Sequence, residues 1–131
     1  MVPIDDLRRI ARGRLKDAEV LFAAGRYDGA IYLCGYAIEI ALKARICRAL
    51  KWQGYPATRK EFEGYLSFRT HDLDILLHLS GAEGKIKTMH LAEWSIVATW
   101  DPNVRYRPIG SASSQDAADM IKSTKVILGV L

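Results

Sequence analysis

From Arg26 to Leu50 the sequence reads as one long helix that has to be buried on several sides. Ala30, Ile31, Leu33, Cys34, Ala37, Ile38, Ile40, Ala41, Leu42, Ala44, Ile46 and Cys47 cover most of its circumference with apolar groups. Asp28, Tyr32, Gly35, Tyr36, Glu39 and Lys43 recur at steps of three and four, so at 3.6 residues per turn they form one narrow polar face. A rod of this kind organises a chain around itself, because other elements must cover its apolar surface. The polar face admits two readings. Glu39 and Lys43, at i and i+4, can form a local ion pair contributing roughly 0.2–0.5 kcal/mol. Alternatively, both border a cleft or a subunit contact where partly buried charges orient a ligand.

The 131 residues suit one domain over 1–131, and with half of them apolar the chain can bury a real core. Glu39, Lys43 and Arg45 interrupt the longest apolar run, so no membrane span is expected. The first sixteen residues lack the pattern of a signal peptide, which predicts a cytoplasmic, soluble protein. Cys34 and Cys47 stand thirteen residues apart on one predicted helix, a rise of about 20 Å, and are expected as free thiols in the core. His71, His78 and His90 are scattered and no paired cysteine spacing accompanies them, so neither a metal nor another cofactor is expected. The net charge is +4, and Lys43, Arg45, Arg48, Lys51, Arg59 and Lys60 follow one another with no acid between them. Such a run attracts polyanions if the fold keeps it together.

Helical spacing predicts a first helix over Ile4–Ala24, capped by Asp5 or Asp6, ended by Gly25 and paired with the long rod as an antiparallel hairpin. Arg8, Arg9, Arg12, Arg14 and Lys16 on its outer face read as a solvated surface with local pairs to Asp17 and Glu19. Trp52 to Phe68, punctuated by Gly54, Pro56 and Gly64, predicts a packed loop with a short helix near Lys60–Leu66. Further helices are expected over His71–Ser80, with Thr70 or Asp72 as cap, over Glu83–Trp100, and from Ser113 or Ser114 onward. Their apolar sets include Ile75 in the first of these and Ile86, Met89, Leu91, Trp94, Ile96 and Val97 in the second. About five helices and no strand make an all-α, single-domain antiparallel bundle.

No phosphate-cradling glycine loop, paired-carboxylate signature or nucleophile motif is present, and catalytic residues are not assigned. The candidate ligand or cleft residues are Glu39 and Lys43, His71 and Asp72, and Arg105, Tyr106 and Arg107. His71 and Asp72 sit at a helix start, where an acidic cap beside a ring is a structural device and a proton-transfer pair the functional alternative. Arg105 and Arg107 flank Tyr106 between Pro102 and Pro108, which suits phosphate contact or stacking on a base, and equally a surface arginine pair with no ligand.

Ala18, Leu21, Gly25, Tyr27, Ala30, Tyr32, Gly35, Ala37, Glu39, Leu42, Lys43 and Ala44, then His71, Asp72, Leu73 and Leu77, then Arg105 and Tyr106, follow in order along the chain. In this order and spacing the sequence resembles the HEPN domain (higher eukaryotes and prokaryotes nucleotide-binding). The resemblance implies a helical bundle that forms a homodimer, often encoded beside a nucleotidyltransferase partner in toxin–antitoxin or defence systems, with RNA or a nucleotide as ligand. Many HEPN proteins are metal-independent ribonucleases with an arginine followed by four to six residues and then a histidine. Arg105 resembles that arginine, but Gly110, Ser111 and Ala112 stand where the histidine belongs, and no histidine follows. Lys85 and His90 have the spacing, yet a lysine lacks the guanidinium fork. The expectation is therefore an RNA-, nucleotide- or partner-binding domain without the complete nuclease motif. The alternatives are a degenerate-motif endoribonuclease toxin and a pure protein-interaction module.

Overall fold

The computed structural model describes residues 1–131, and 69% of them are helical, in six helices with one minimal sheet. The first two helices form the expected hairpin. Helix α1 spans Ile4–Ala23 and α2 spans Tyr27–Leu50, with Gly25 turning the chain at φ +74°. Only a residue without Cβ adopts that backbone cheaply. Neither Asp5 nor Asp6 caps α1. Pro3 stands at the cap position and the two carboxylates lie in the first turn, where they oppose the positive end of the helix dipole. No residue of α2 from Tyr27 to Cys47 is exposed, and Lys51 ends the helix in the left-handed conformation at φ 56°.

Helices α3 (Leu73–Ser80), α4 (Glu83–Met89), α5 (Leu91–Val97) and α6 (Ser114–Val130) complete the bundle. Asp72 caps α3 by accepting from the Ile75 N–H at 3.1 Å, and Ser113 and Asp116 form a reciprocal capping box on α6. Around α2 the core gathers Ile38, Leu42 and Ile46 with Leu76 and Leu77 of α3, Val97 of α5 and Ile127 of α6, all fully buried. Cys34 and Cys47 belong to the same core and are free thiols. No helix is long and apolar enough to cross a membrane.

Three departures from the sequence expectations have local causes. A two-residue antiparallel pair joins β1 (Val2–Pro3) to β2 (Gly54–Tyr55), and a Cβ at Gly54 would lie 2.6 Å from the Val2 carbonyl oxygen. The strand pairing is short because proline closes one side of it. In the following segment the expected helix at Lys60–Leu66 is absent. Gly64 takes φ +80°, and a single 3-10 turn forms later, over Leu66–Phe68. The segment is held instead by rings: Trp52 packs 5.0 Å from Phe68 and 5.3 Å from Tyr65, and the Tyr55 hydroxyl donates to the Phe68 carbonyl at 2.5 Å.

The third departure is a break at His90, whose backbone at φ −137°, ψ 36° leaves the helical region and divides the expected Glu83–Trp100 helix into α4 and α5. The break re-aims α5, so that Trp94 and Val97 are buried and the Trp94 indole donates to Asp74 at 3.0 Å. Met89, Leu91 and Ile96, expected in the core, are exposed, as is Ile75 on α3.

Trp100, just past α5, lies flat against α2. A methyl group at Gly35 would overlap its indole ring, so glycine is what lets the ring reach the helix backbone. Alanine is the better helix former by about 1 kcal/mol, but forcing a buried indole aside costs about 1–3 kcal/mol, to which the packing given up must be added. Gly35→Ala is therefore expected to destabilise the fold by about 1–2 kcal/mol in urea denaturation. A stabilised variant would show that the ring yields freely.

Candidate functional site

The polar face of α2 is covered largely by the chain itself, in three sectors. At the start of the helix the Asp28 carboxylate accepts from the Gly110 N–H at 2.6 Å and from the Ala112 N–H at 2.9 Å. It thereby ties the loop before α6 to the first turn of α2, where an acid is also favoured by the helix dipole.

In the middle sector, Tyr32 and Tyr36, one helical turn apart, meet edge to face at 5.0 Å, and Tyr36 meets Trp100 at 5.3 Å. The Trp100 N–H is buried without an acceptor, an arrangement that costs about 1–3 kcal/mol. Arg105 comes from a 3-10 turn over Pro102–Tyr106 that Asp101 caps by accepting from the Asn103 N–H at 2.7 Å. Its guanidinium lies 4.8 Å from the centre of the Tyr106 ring, and Tyr106 is 73% exposed. The Tyr106 and Tyr32 hydroxyls, in that order, raise the Arg105 pKa further. No carboxylate pairs with Arg105, and what lies beside this cation is the Tyr106 ring together with the tyrosine hydroxyls.

The last sector is a buried ionic cluster. Glu39, 3% exposed, accepts from Lys43 Nζ at 3.1 Å and from His71 Nδ1 at 2.8 Å. Because a carboxylate only accepts, the His71 proton rests on Nδ1 and Nε2 is left without a protein partner on a ring that is 59% exposed. Lys43 also lies 5.3 Å over the Tyr55 ring. Glu39 thus joins α2 to the segment entering α3, across 32 residues of sequence.

The structure brings Glu39, Lys43 and His71 into direct contact and sets Asp72 beside them as the α3 cap. Arg105 and Tyr106 adjoin the tyrosine sector. Tyr36 stands between the two along α2, one turn after Tyr32, whose ring it meets, and one turn before Glu39. Arg107 stands elsewhere: it lines a depression of about 360 Å³ together with Asp28, Asp116 and Asp119. The basic run from Lys43 to Lys60 divides. Lys43 turns to Glu39, while Arg45 and Arg48 turn to the opposite side of α2, toward α1. Sequence reasoning missed Trp100 as a member of the site, for want of any periodic link to α2. It also missed the meeting of Arg45 and Arg48 with Arg8 and Arg12, which an antiparallel hairpin turning at Gly25 brings about. No group of three or more histidine, cysteine, aspartate or glutamate side chains is placed to hold a metal ion.

The HEPN domain family model matches residues 4–59, the span of α1, α2 and the start of the aromatic-packed segment. The resemblance to the HEPN family is thereby borne out over the hairpin that carries Glu39 and Lys43. His71, Asp72, Arg105, Tyr106 and Arg107 lie beyond the matched residues. No curated protein matches the chain, and no solved structure does.

Truncating Glu39 leaves a half-buried ammonium and an imidazole without their shared acceptor. Glu39→Ala is expected to cost about 2–3 kcal/mol, less than the about 3–5 of a fully buried pair because Lys43 can reach water. Urea denaturation checks this, and a loss below 0.5 kcal/mol would reduce the cluster to a surface pair.

Alkaline pH gives a second test. The Tyr32 hydroxyl and then burial push Tyr36 up to about 12 from an ordinary 10.0, and burial pushes the Cys34 thiol up to about 11 from 9.0. Between those values the folded chain keeps protons that the unfolded chain releases, so stability is full below about pH 9 and falls as pH rises toward 12. The urea midpoint is expected to be lower at pH 11 than at pH 8, with a smaller difference in Tyr36→Phe.

Proposed function

We propose that this chain, which matches the HEPN family model across its α1–α2 hairpin, binds RNA or a nucleotide at the side chains of the segments that cover the polar face of α2, without strong ribonuclease activity of its own. The observation that carries the reading is Arg105, which has no carboxylate partner and lies against the largely exposed ring of Tyr106. A guanidinium forks onto phosphate oxygens, and a free aromatic face beside it stacks on a base. Lys43 and His71 add donors at the far end of the same face. Asp72 acts as the helix cap that sets His71 in place.

Arg105→Ala is expected to weaken binding of ATP or of a short labelled RNA at least tenfold, read by fluorescence anisotropy, with the thermal midpoint within about 1 °C of the parent. Unchanged affinity, or a matching loss of stability, would overturn the assignment. The family resemblance extends the proposal to a homodimer acting with a nucleotidyltransferase partner in a toxin–antitoxin or defence setting, for which sedimentation and co-purification are the direct measurements.

A second reading, a degenerate ribonuclease, is favoured by the His71–Glu39 pair. A carboxylate on Nδ1 and an unpartnered Nε2 form the base-and-orienter arrangement that proton transfer from a 2′-hydroxyl requires. Cleavage of RNA by the parent protein and its loss in His71→Ala would select this reading over simple binding.

A further inference from the structure

On the side of α2 opposite Glu39, the hairpin encloses a cleft of about 460 Å³ whose rim is arginine. Arg8, Arg9 and Arg12 come from the first turns of α1, and Arg45 and Arg48 from the last turns of α2. The antiparallel course of the two helices brings these ends together. The floor is made of small and aliphatic groups, with Ala11 and Ala44 buried between the helices, and the one acidic side chain in the lining is Asp5.

Most of the charge here is uncompensated. Arg9 has a carboxylate partner in Asp6, at 3.8 Å on the exposed surface, and Arg48 donates to the Leu131 carbonyl at 3.5 Å. Arg8, Arg12 and Arg45 have no carboxylate within 4.0 Å, and Arg8 and Arg45 are half-buried. Guanidiniums partly withdrawn from water around one depression repel one another, and an anion seated among them removes that cost. Arg48 also occupies the last turn of α2, where the helix dipole favours a cation without a carboxylate.

We propose that this cleft binds the phosphodiester backbone of one nucleic-acid strand, without reading its bases. Several features fix that choice. Arg8 and Arg12 are one helical turn apart, about 5–6 Å, as are Arg45 and Arg48, so two rows of forked donors face a chain of phosphates rather than a single anion. The lining contains no aromatic side chain to serve as a stacking platform and no amide to read a base edge, which leaves its arginines to the phosphate oxygens. The cleft and the Arg105 sector lie on different sides of α2, and the two proposals stand or fall separately.

The test measures anisotropy of labelled single-stranded homopolymers of uridine, adenosine and cytidine from 50 to 300 mM salt. The parent protein is compared with the triple variant Arg8→Gln, Arg12→Gln, Arg45→Gln and with the corresponding triple lysine variant. Expected are affinities within about threefold across the three bases and a loss of at least tenfold in the glutamine variant at 150 mM salt. Its log–log salt slope should be shallower by about 2, at roughly 0.7 for each phosphate no longer neutralised. The lysine variant should keep most of the slope, and the glutamine variant should melt no lower than the parent. Absence of RNA binding by the parent, or unchanged affinity and slope in the glutamine variant, would overturn the proposal. Displacement of the RNA by polyglutamate at equal charge would also overturn it, in favour of an acidic protein partner. Arg105→Ala, run in parallel, should leave the salt slope within about one unit of the parent, which separates the two sites.

Discussion

Covering α2 from Tyr27 to Cys47 leaves most polar groups along it to find a partner inside the chain or to go without one at a cost. That constraint shapes the rest of the molecule. Asp28 finds two backbone N–H groups of the loop before α6, Glu39 finds Lys43 and His71, and Gly35 yields its place to an indole. Each of these contacts draws in a segment that has no regular structure of its own. The loops are therefore positioned by the rod they cover, and buried polar groups with no partner are confined to the Trp100 N–H and the Thr124 hydroxyl.

The two flanks of the rod carry opposite electrostatic states. On one, a single buried carboxylate serves a lysine and a histidine, and the cluster is close to self-sufficient. On the other, arginines from both helices converge with little to neutralise them. A satisfied cluster favours rigidity, since every member is held by the others. A convergence of like charges favours an outside counter-charge, and its strength falls with ionic strength. The molecule thus places a self-contained ion cluster and a convergence of unpaired cations on opposite faces of the same helix.

How much of this could be read from the sequence follows from the range of each interaction. The hairpin, the Asp72 and Ser113 caps and the Gly25 turn depend on residues a few positions apart, and they stand where the pattern put them. The break at His90 does not announce itself, because the apolar set on either side continues at plausible spacing. It takes the burial of Trp94 and its bond to Asp74, twenty residues away, to set the direction of α5. The Glu39–Lys43 pair was legible as a local pair, but the third member, His71, reaches it across 32 residues. The arginine cleft was hidden for a different reason. Read one helix at a time, Arg8 and Arg12 belong to a solvated face, and only the fold of the hairpin sets them opposite Arg45.

Cys34 and Cys47 lie fully buried on α2, one in each half of the helix, and neither is tied up in a disulfide. Burial holds both in the unreactive protonated form, so a water-soluble alkylating reagent reaches them only when the surrounding helices part. The chain therefore carries two internal clocks along its axis. Their relative rates of modification report whether the bundle loosens first near the tyrosine sector or near the arginine-lined end.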